Sequence, residues 1–183
     1  LLVAVCACFF GRKDSIIVLF AIIFTIIADY FLLVKNDFYE WGLTAFIAAQ
    51  TAYFIRLRFW QNKNRLLWTA ARIIIAAAAC IAIAAAKFNE VLIYLVAVYA
   101  SLFLANIIES YSLFGGNAKR KIFALGLTLF ACCDICVLLF NLGSFVSVGY
   151  SEQTAEFFVK LSWIFYLPSQ CLVVLSSALD ENL

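Results

Sequence analysis

The chain has 183 residues, of which 67% are hydrophobic and only 13% are charged. A soluble domain is about half apolar and about a quarter charged, so lipid must solvate much of the apolar surface of this chain. The net charge of +2 argues against nucleic-acid binding, and the absence of histidine excludes Ser-His-Asp catalysis, Cys-His catalysis and His-ligated zinc.

Six apolar segments of spanning length follow an apolar stretch at residues 1–10, which is too short to cross a membrane. They cover about residues 15–34, 38–57, 66–86, 91–113, 120–141 and 156–178. The short polar connections between them are typical of antiparallel neighbours in a helical bundle, and the alternation expected of a transmembrane barrel is missing. The sequence therefore predicts one all-α domain, residues 1–183. We expect a polytopic transmembrane helical bundle of about seven to eight helices, whose first helix is missing or truncated here.

The ends of the segments indicate how the bundle is oriented. The odd-numbered connections contain nine basic residues and the even-numbered ones only two, Lys35 and Lys87. The nine are Arg12, Lys13, Arg56, Arg58, Lys63, Arg65, Lys119, Arg120 and Lys121. Because cytoplasmic connections are rich in lysine and arginine, we predict that the odd-numbered connections are cytoplasmic. Four aromatic residues near segment ends are typical of the membrane interface: Trp41, Trp60, Trp68 and Tyr150.

Two aspartates lie inside the apolar segments. Asp29 follows Ser15 by 14 residues, and Asp134 follows Arg120 by 14 residues. At about 1.5 Å per residue, each carboxyl group lies roughly 20 Å from the start of its helix, at one predicted depth. Carboxyl groups inside a membrane are costly and usually functional, so the pair predicts a shared cavity. In the alternative interpretation, each aspartate is protonated and hydrogen-bonded to a neighbouring helix.

Other polar side chains in the apolar segments either line this cavity or connect helices by hydrogen bonds. Three pairs lie one turn apart, each on one helix face: Gln50 with Tyr53, Asn106 with Glu109, and Tyr166 with Gln170. We predict that Gln50, Tyr53, Asn106, Tyr166 and Gln170 bind substrate. The two deep cations, Arg72 and Lys160, stand near helix ends and are expected to extend towards the membrane surface.

Three cysteines surround the second aspartate: Cys132, Cys133 and Cys136. This group is either a redox or metal site, or a set of small residues that pack between helices. The packing interpretation is favoured inside a membrane segment. We predict no metal and no cofactor.

Four stretches occur in a characteristic order: ADYFLL, GLTAFIAAQTAYFIRL, GLTLFACCDICVLLFNL and WIFYLPSQCLVVLSS. Together they resemble the motifs of the YhhN/TMEM86 family, the lysoplasmalogenases, over nearly the whole chain. In that family a Gly-Asp pair opens the first motif and a Ser-Asp pair occurs in a later one. Ala28 and Cys133 stand here in place of that glycine and that serine, and Gln50 and Gln170 fall where some relatives carry histidine.

The resemblance implies that Asp29 and Asp134 are catalytic in a membrane-embedded hydrolase. Its reaction would cleave the vinyl ether bond of a lysoplasmalogen to give a fatty aldehyde and a glycerophospho head group. Vinyl ethers hydrolyse by protonation at carbon, which requires one acid and one carboxylate, as in glycoside hydrolysis. An apolar surrounding favours the protonated form of a carboxyl group. The expected partners are a lysophospholipid substrate and membrane lipid.

Two other functions remain open. One is a small transporter or channel in which the aspartates are proton or cation sites. Against it, the sequence contains no clear internal repeat, and Pro168 alone interrupts a predicted helix. The other is a lipid-binding protein without catalytic activity.

Overall fold

The computed structural model describes residues 13–35, 37–60, 65–145 and 152–179, and throughout these residues every regular element is helical. The α-helices are α1 (Lys13–Asp29), α2 (Tyr39–Trp60), α3 (Arg65–Ala85), α4 (Val91–Ser112), α5 (Ala118–Phe145) and α6 (Glu152–Ala178). A π-helical segment, Tyr30–Lys35, continues α1. The predicted all-α class is confirmed, whereas the apolar stretch 1–10 lies outside the described residues.

Five of the described helices are long and apolar enough to cross a membrane: α1 with its π-helical segment, α3, α4, α5 and α6. The protein is therefore an integral membrane protein. Helix α2 has 22 residues, which is also sufficient length. Helix α2 is less apolar because it carries Gln50, Arg56 and Arg58. All three side chains form hydrogen bonds or ion pairs within the protein. The sidedness of the bundle stays a prediction.

Helices α1 to α4 belong to a compact unit, Leu1–Gly115. In this unit α1 packs on α2, α2 packs on α4, and α4 packs on α3. The buried face of α2 carries alanines at one-turn spacing, Ala45, Ala49 and Ala52. Small residues let helix backbones approach closely in a membrane, where packing rather than the hydrophobic effect holds helices together.

Helices α5 and α6 form a second compact unit, Gly116–Leu183, and pack on each other along their lengths. The two helices approach each other closely at Gly126. A Cβ atom added there would lie 2.9 Å from Cγ2 of Val173, 3.1 Å from the Val173 backbone nitrogen and 3.2 Å from the Ser169 carbonyl oxygen. Two of these three atoms belong to the α6 backbone, so a side chain at position 126 would force the helices apart.

Replacing Gly126 by alanine is therefore expected to lower the free energy of unfolding by about 1–3 kcal/mol, the usual effect of overpacking a tight contact. Titration with a denaturing detergent, followed by circular dichroism, measures this change. Gly115→Ala is the matched control, because nothing lies within 4 Å of a Cβ at Gly115. Equal stability of the two variants would contradict the close contact at Gly126.

Candidate active site and a buried polar network

Asp29 stands where the winding of the first helix changes. It is the last residue of α1, and the π-helical segment begins at Tyr30. Asp29 is half-buried, and the buried Thr25 lies one turn earlier on the same face. Short π-helical stretches inserted in a helix are frequent at functional sites. The sequence pattern carried no signal for this one.

Asp134 lies in the interior of α5 and is also half-buried. Phe130, one turn earlier, is buried, and its ring meets the ring of Tyr166 on α6 edge-to-face at a centroid distance of 5.9 Å. A second edge-to-face contact, at 5.7 Å, joins Tyr166 to Trp163. Because Phe130 and Asp134 are four residues apart, Tyr166 packs against the helix face that carries Asp134.

Gln170 and two cysteines are the other polar or sulfur-containing residues of interest in this unit, and Gln170 lies near the level of Gly126, two turns before Asp134 on α5. Gln170, one turn after Tyr166, donates from Nε2 to Oγ of Ser169 at 3.4 Å, and its Oε1 accepts no hydrogen bond from the described residues. Cys133 and Cys136 are buried, in agreement with the packing interpretation. Across the described ranges, no group of three or more His, Cys, Asp or Glu side chains is placed to hold a metal ion.

Three of the five predicted binding residues lie in the first unit, and all three are fully buried: Gln50, Tyr53 and Asn106. Nδ2 of Asn106 donates to the backbone oxygen of Gln50 at 2.9 Å and to its Oε1 at 3.0 Å. Tyr53 lies one turn before Arg56 on α2, and both side chains are fully buried. The structure thus brings Gln50 and Asn106 into direct contact, whereas Tyr166 and Gln170 belong to the second unit.

Sequence reasoning missed a charged cluster next to these residues. The carboxylate of Glu109 on α4 is fully buried and forms ion pairs with both Arg58 and Arg72. The expectation that Arg72 extends towards the membrane surface is wrong: Arg72 is 3% exposed. Because α3 packs on α4, the side chain of Arg72 on α3 can reach Glu109 on α4. The available signal was the presence of opposite charges in neighbouring apolar segments, since such residues pair inside a membrane.

Arg72 and Arg58 are held by further contacts. Arg72 donates from Nη2 to Oδ1 of Asn106 at 3.0 Å and from Nη1 to the carbonyl oxygen of Trp68 at 3.2 Å. The ring of Phe54 lies 4.5 Å from the guanidinium carbon of Arg72 and 5.0 Å from that of Arg58. These contacts fix the plane of the Arg72 guanidinium inside the unit.

A second ion pair joins α1 to α2. Arg56 is fully buried and donates from Nε and Nη2 to the two carboxylate oxygens of Asp14, at 2.9 and 2.8 Å. The ring of Trp60 lies 4.5 Å from the same guanidinium. The prediction that Arg56 and Arg58 belong to the third connection is wrong, because α2 continues to Trp60 and both arginines lie within it. The last turns of α2 are polar in sequence although they are helical, because their arginines form ion pairs within the unit.

Fold and site together define a class of protein: a polytopic helical membrane protein with half-buried carboxyl groups and a buried, hydrogen-bonded charge network within its helices. A family model described as the YhhN family matches residues 1–177. The chain therefore belongs to the YhhN family, which confirms the resemblance noted in its motifs. No curated protein and no solved structure matches the chain.

Proposed function

We propose that the protein is a membrane-embedded hydrolase that cleaves the vinyl ether bond of lysoplasmalogens, with Asp29 and Asp134 as its catalytic pair. The products are a fatty aldehyde and a glycerophospho head group. One observation carries the proposal: in a member of the YhhN family, each of the two motif aspartates lies half-buried in a helix long and apolar enough to cross a membrane. Ionisable residues in such helices are functional candidates by default.

In the proposed reaction, one aspartate in its protonated form donates a proton to the β-carbon of the vinyl ether. The other, as a carboxylate, stabilises the resulting oxocarbenium ion and accepts a proton from the water that attacks it. The hemiacetal then loses its hydroxyl proton as the bond to the glycerol oxygen breaks, and that oxygen is protonated. One water is consumed, and loss of the proton from the second aspartate with protonation of the first restores the starting state. Either aspartate can be the acid, and the proposed reaction is the same with the two roles exchanged.

The polar residues predicted from the sequence are proposed to bind the polar part of the lysophospholipid. In the first unit these are Gln50, Tyr53 and Asn106, and in the second they are Tyr166 and Gln170. The hydrocarbon chain remains among apolar helix faces and membrane lipid. The chemistry needs only water and two carboxyl groups, so we propose no cofactor.

The test is an assay of the purified protein with a lysoplasmalogen and, in parallel, with its acyl-lysophospholipid counterpart. Mass spectrometry detects aldehyde and fatty acid. We expect aldehyde from the alkenyl lipid and no fatty acid from the acyl lipid, because ester hydrolysis does not proceed through protonation of a carbon–carbon double bond. Fatty acid alone would replace the proposed substrate with an acyl lipid.

A result with no product from either lipid would contradict the hydrolase. Reconstitution in liposomes then separates the two other functions. Proton or cation flux that depends on the aspartates would identify a transporter. Bound lipid recovered chemically unchanged, without flux, would identify a lipid-binding protein.

A further inference from the structure

Two hydrogen-bond donors in the buried network of the first unit have no partner among the described residues. They are Nε of Arg72 and Nε2 of Gln50, on residues that are 3% and 0% exposed. A buried donor without an acceptor destabilises a protein by about 1–3 kcal/mol. Two of them in one network indicate a place where the acceptor atoms of a ligand enter.

Asn106 holds both donors in position. Its Oδ1 accepts from Nη2 of Arg72 at 3.0 Å, and its Nδ2 donates to Oε1 of Gln50 at 3.0 Å. The Gln50 amide is thereby oriented with its oxygen towards Asn106 and its NH2 group away from it. Phe54, whose ring lies 4.5 Å from the guanidinium carbon, fixes the plane of Arg72. The two donors are thus pre-oriented, which lowers the entropy lost when a ligand binds.

The charge of the network specifies what kind of ligand fits. Arg58 and Arg72 share the single carboxylate of Glu109, so these three side chains carry a formal charge of +1. A group with one negative charge and two acceptor oxygens complements them, and the phosphodiester of a lysophospholipid is such a group. Arginine suits this role because its planar fork of N–H groups matches the geometry of phosphate oxygens.

We propose that Arg72 and Gln50 bind the phosphate group of the lysophospholipid, with Asn106 as the residue that positions them. The phosphate oxygens accept hydrogen bonds from Nε of Arg72 and Nε2 of Gln50. The identification of the ligand as the reacting lysophospholipid rests on the proposed function. The phosphate contact itself is inferred only from the buried polar network.

The test uses two saturated lipids that lack the vinyl ether, so that hydrolysis plays no part. One is a 1-O-alkyl-lysophosphocholine, and the other is the corresponding 1-O-alkylglycerol without phosphate. Native mass spectrometry of the full chain in detergent micelles measures the bound fraction of each. We expect the phosphorylated lipid to bind about tenfold more tightly, which corresponds to about 1.4 kcal/mol.

Gln50→Glu is the sharpest variant. The new side chain keeps an oxygen for Nδ2 of Asn106 and replaces the unpartnered donor by a carboxylate oxygen, which repels a phosphate. We expect this variant to fold, because the new carboxylate balances the formal charge of +1 on Arg58, Arg72 and Glu109, and to lose the preference for the phosphorylated lipid. Gln153→Glu is the matched control, since Gln153 is exposed in the first turn of α6. Arg72→Lys keeps the charge but removes Nε and should lose the preference as well.

The proposal is overturned if the wild-type protein binds both lipids equally, or if Gln50→Glu retains the preference. Inorganic phosphate added alone distinguishes the sources of the anion. Displacement of the alkyl-lysophosphocholine would show that the donors also accept free phosphate, and failure to displace it would assign them to the lipid head group. A phosphate preference without aldehyde release would preserve this site while refuting the hydrolase. Aldehyde release without a phosphate preference would support the hydrolase while refuting this phosphate site.

Discussion

Replacing Asp29 by asparagine is expected to reduce aldehyde release from a lysoplasmalogen by at least about 100-fold, and Asp134→Asn is expected to do the same. An asparagine side chain has the shape of aspartate, but it can neither give a proton to the vinyl ether carbon nor accept one from water. Because the two carboxyl groups act in one reaction, the double variant should be little worse than either single variant. The initial rate of aldehyde formation at saturating lipid measures the effect.

Asp37→Asn is the control for this experiment. Asp37 is exposed in the connection between the π-helical segment and α2, and its Oδ1 accepts the backbone N–H of Phe38 at 2.8 Å. The oxygen of an asparagine can accept the same hydrogen bond, so we expect activity close to that of the wild type. Full activity in either Asp29→Asn or Asp134→Asn would refute the catalytic pair. An unchanged unfolding curve in the inactive variants would show that the loss is chemical.

Replacing Glu109 by alanine is expected to lower the free energy of unfolding by about 3–5 kcal/mol, the usual result of removing one partner from a buried ion pair. Glu109 is fully buried and pairs with Arg58 and Arg72, so its removal leaves two guanidinium groups without their shared carboxylate. The cost exceeds that of a surface pair because water cannot replace the lost partner. Denaturing-detergent titration of the purified protein measures it.

The matched control is Glu156→Ala, which also removes the acidic partner of an ion pair. Oε2 of Glu156 lies 2.9 Å from Nζ of Lys160, but the two side chains are 68% and 74% exposed. Exposed pairs contribute little, so we expect a change below about 1 kcal/mol. A similar loss in both variants would mean that burial does not set the strength of the Glu109 pairs.

The helical architecture followed from local properties of the chain. The predicted segments 66–86 and 91–113 correspond to α3 (Arg65–Ala85) and α4 (Val91–Ser112) within two residues. This agreement has a physical reason, because a segment that crosses lipid must be apolar and must satisfy its backbone hydrogen bonds internally, so hydropathy alone marks a helix. The membrane class and the helix count over the described segments required no knowledge of packing.

Hydropathy along the sequence was less informative where polar side chains pair with one another inside the protein. Helix α2 was predicted to end near residue 57 but continues to Trp60, since Arg56 and Arg58 pair within the unit. The π-helical segment after Asp29 also carries no signature in hydropathy. It changes which backbone oxygen accepts each hydrogen bond, and that choice depends on how α1 packs against α2.

The sequence by itself determined that this is a helical membrane protein of the YhhN type and which two aspartates stand in its motifs, because both depend on composition and residue order. Only the tertiary structure decided that Arg72 turns inward to Glu109, 37 residues away, and that Asn106 binds Gln50 across 56 residues. Side chains so far apart in the chain meet only after α4 has packed against both α2 and α3. Whether a buried polar residue pairs within the protein or extends to the membrane surface depends on that packing.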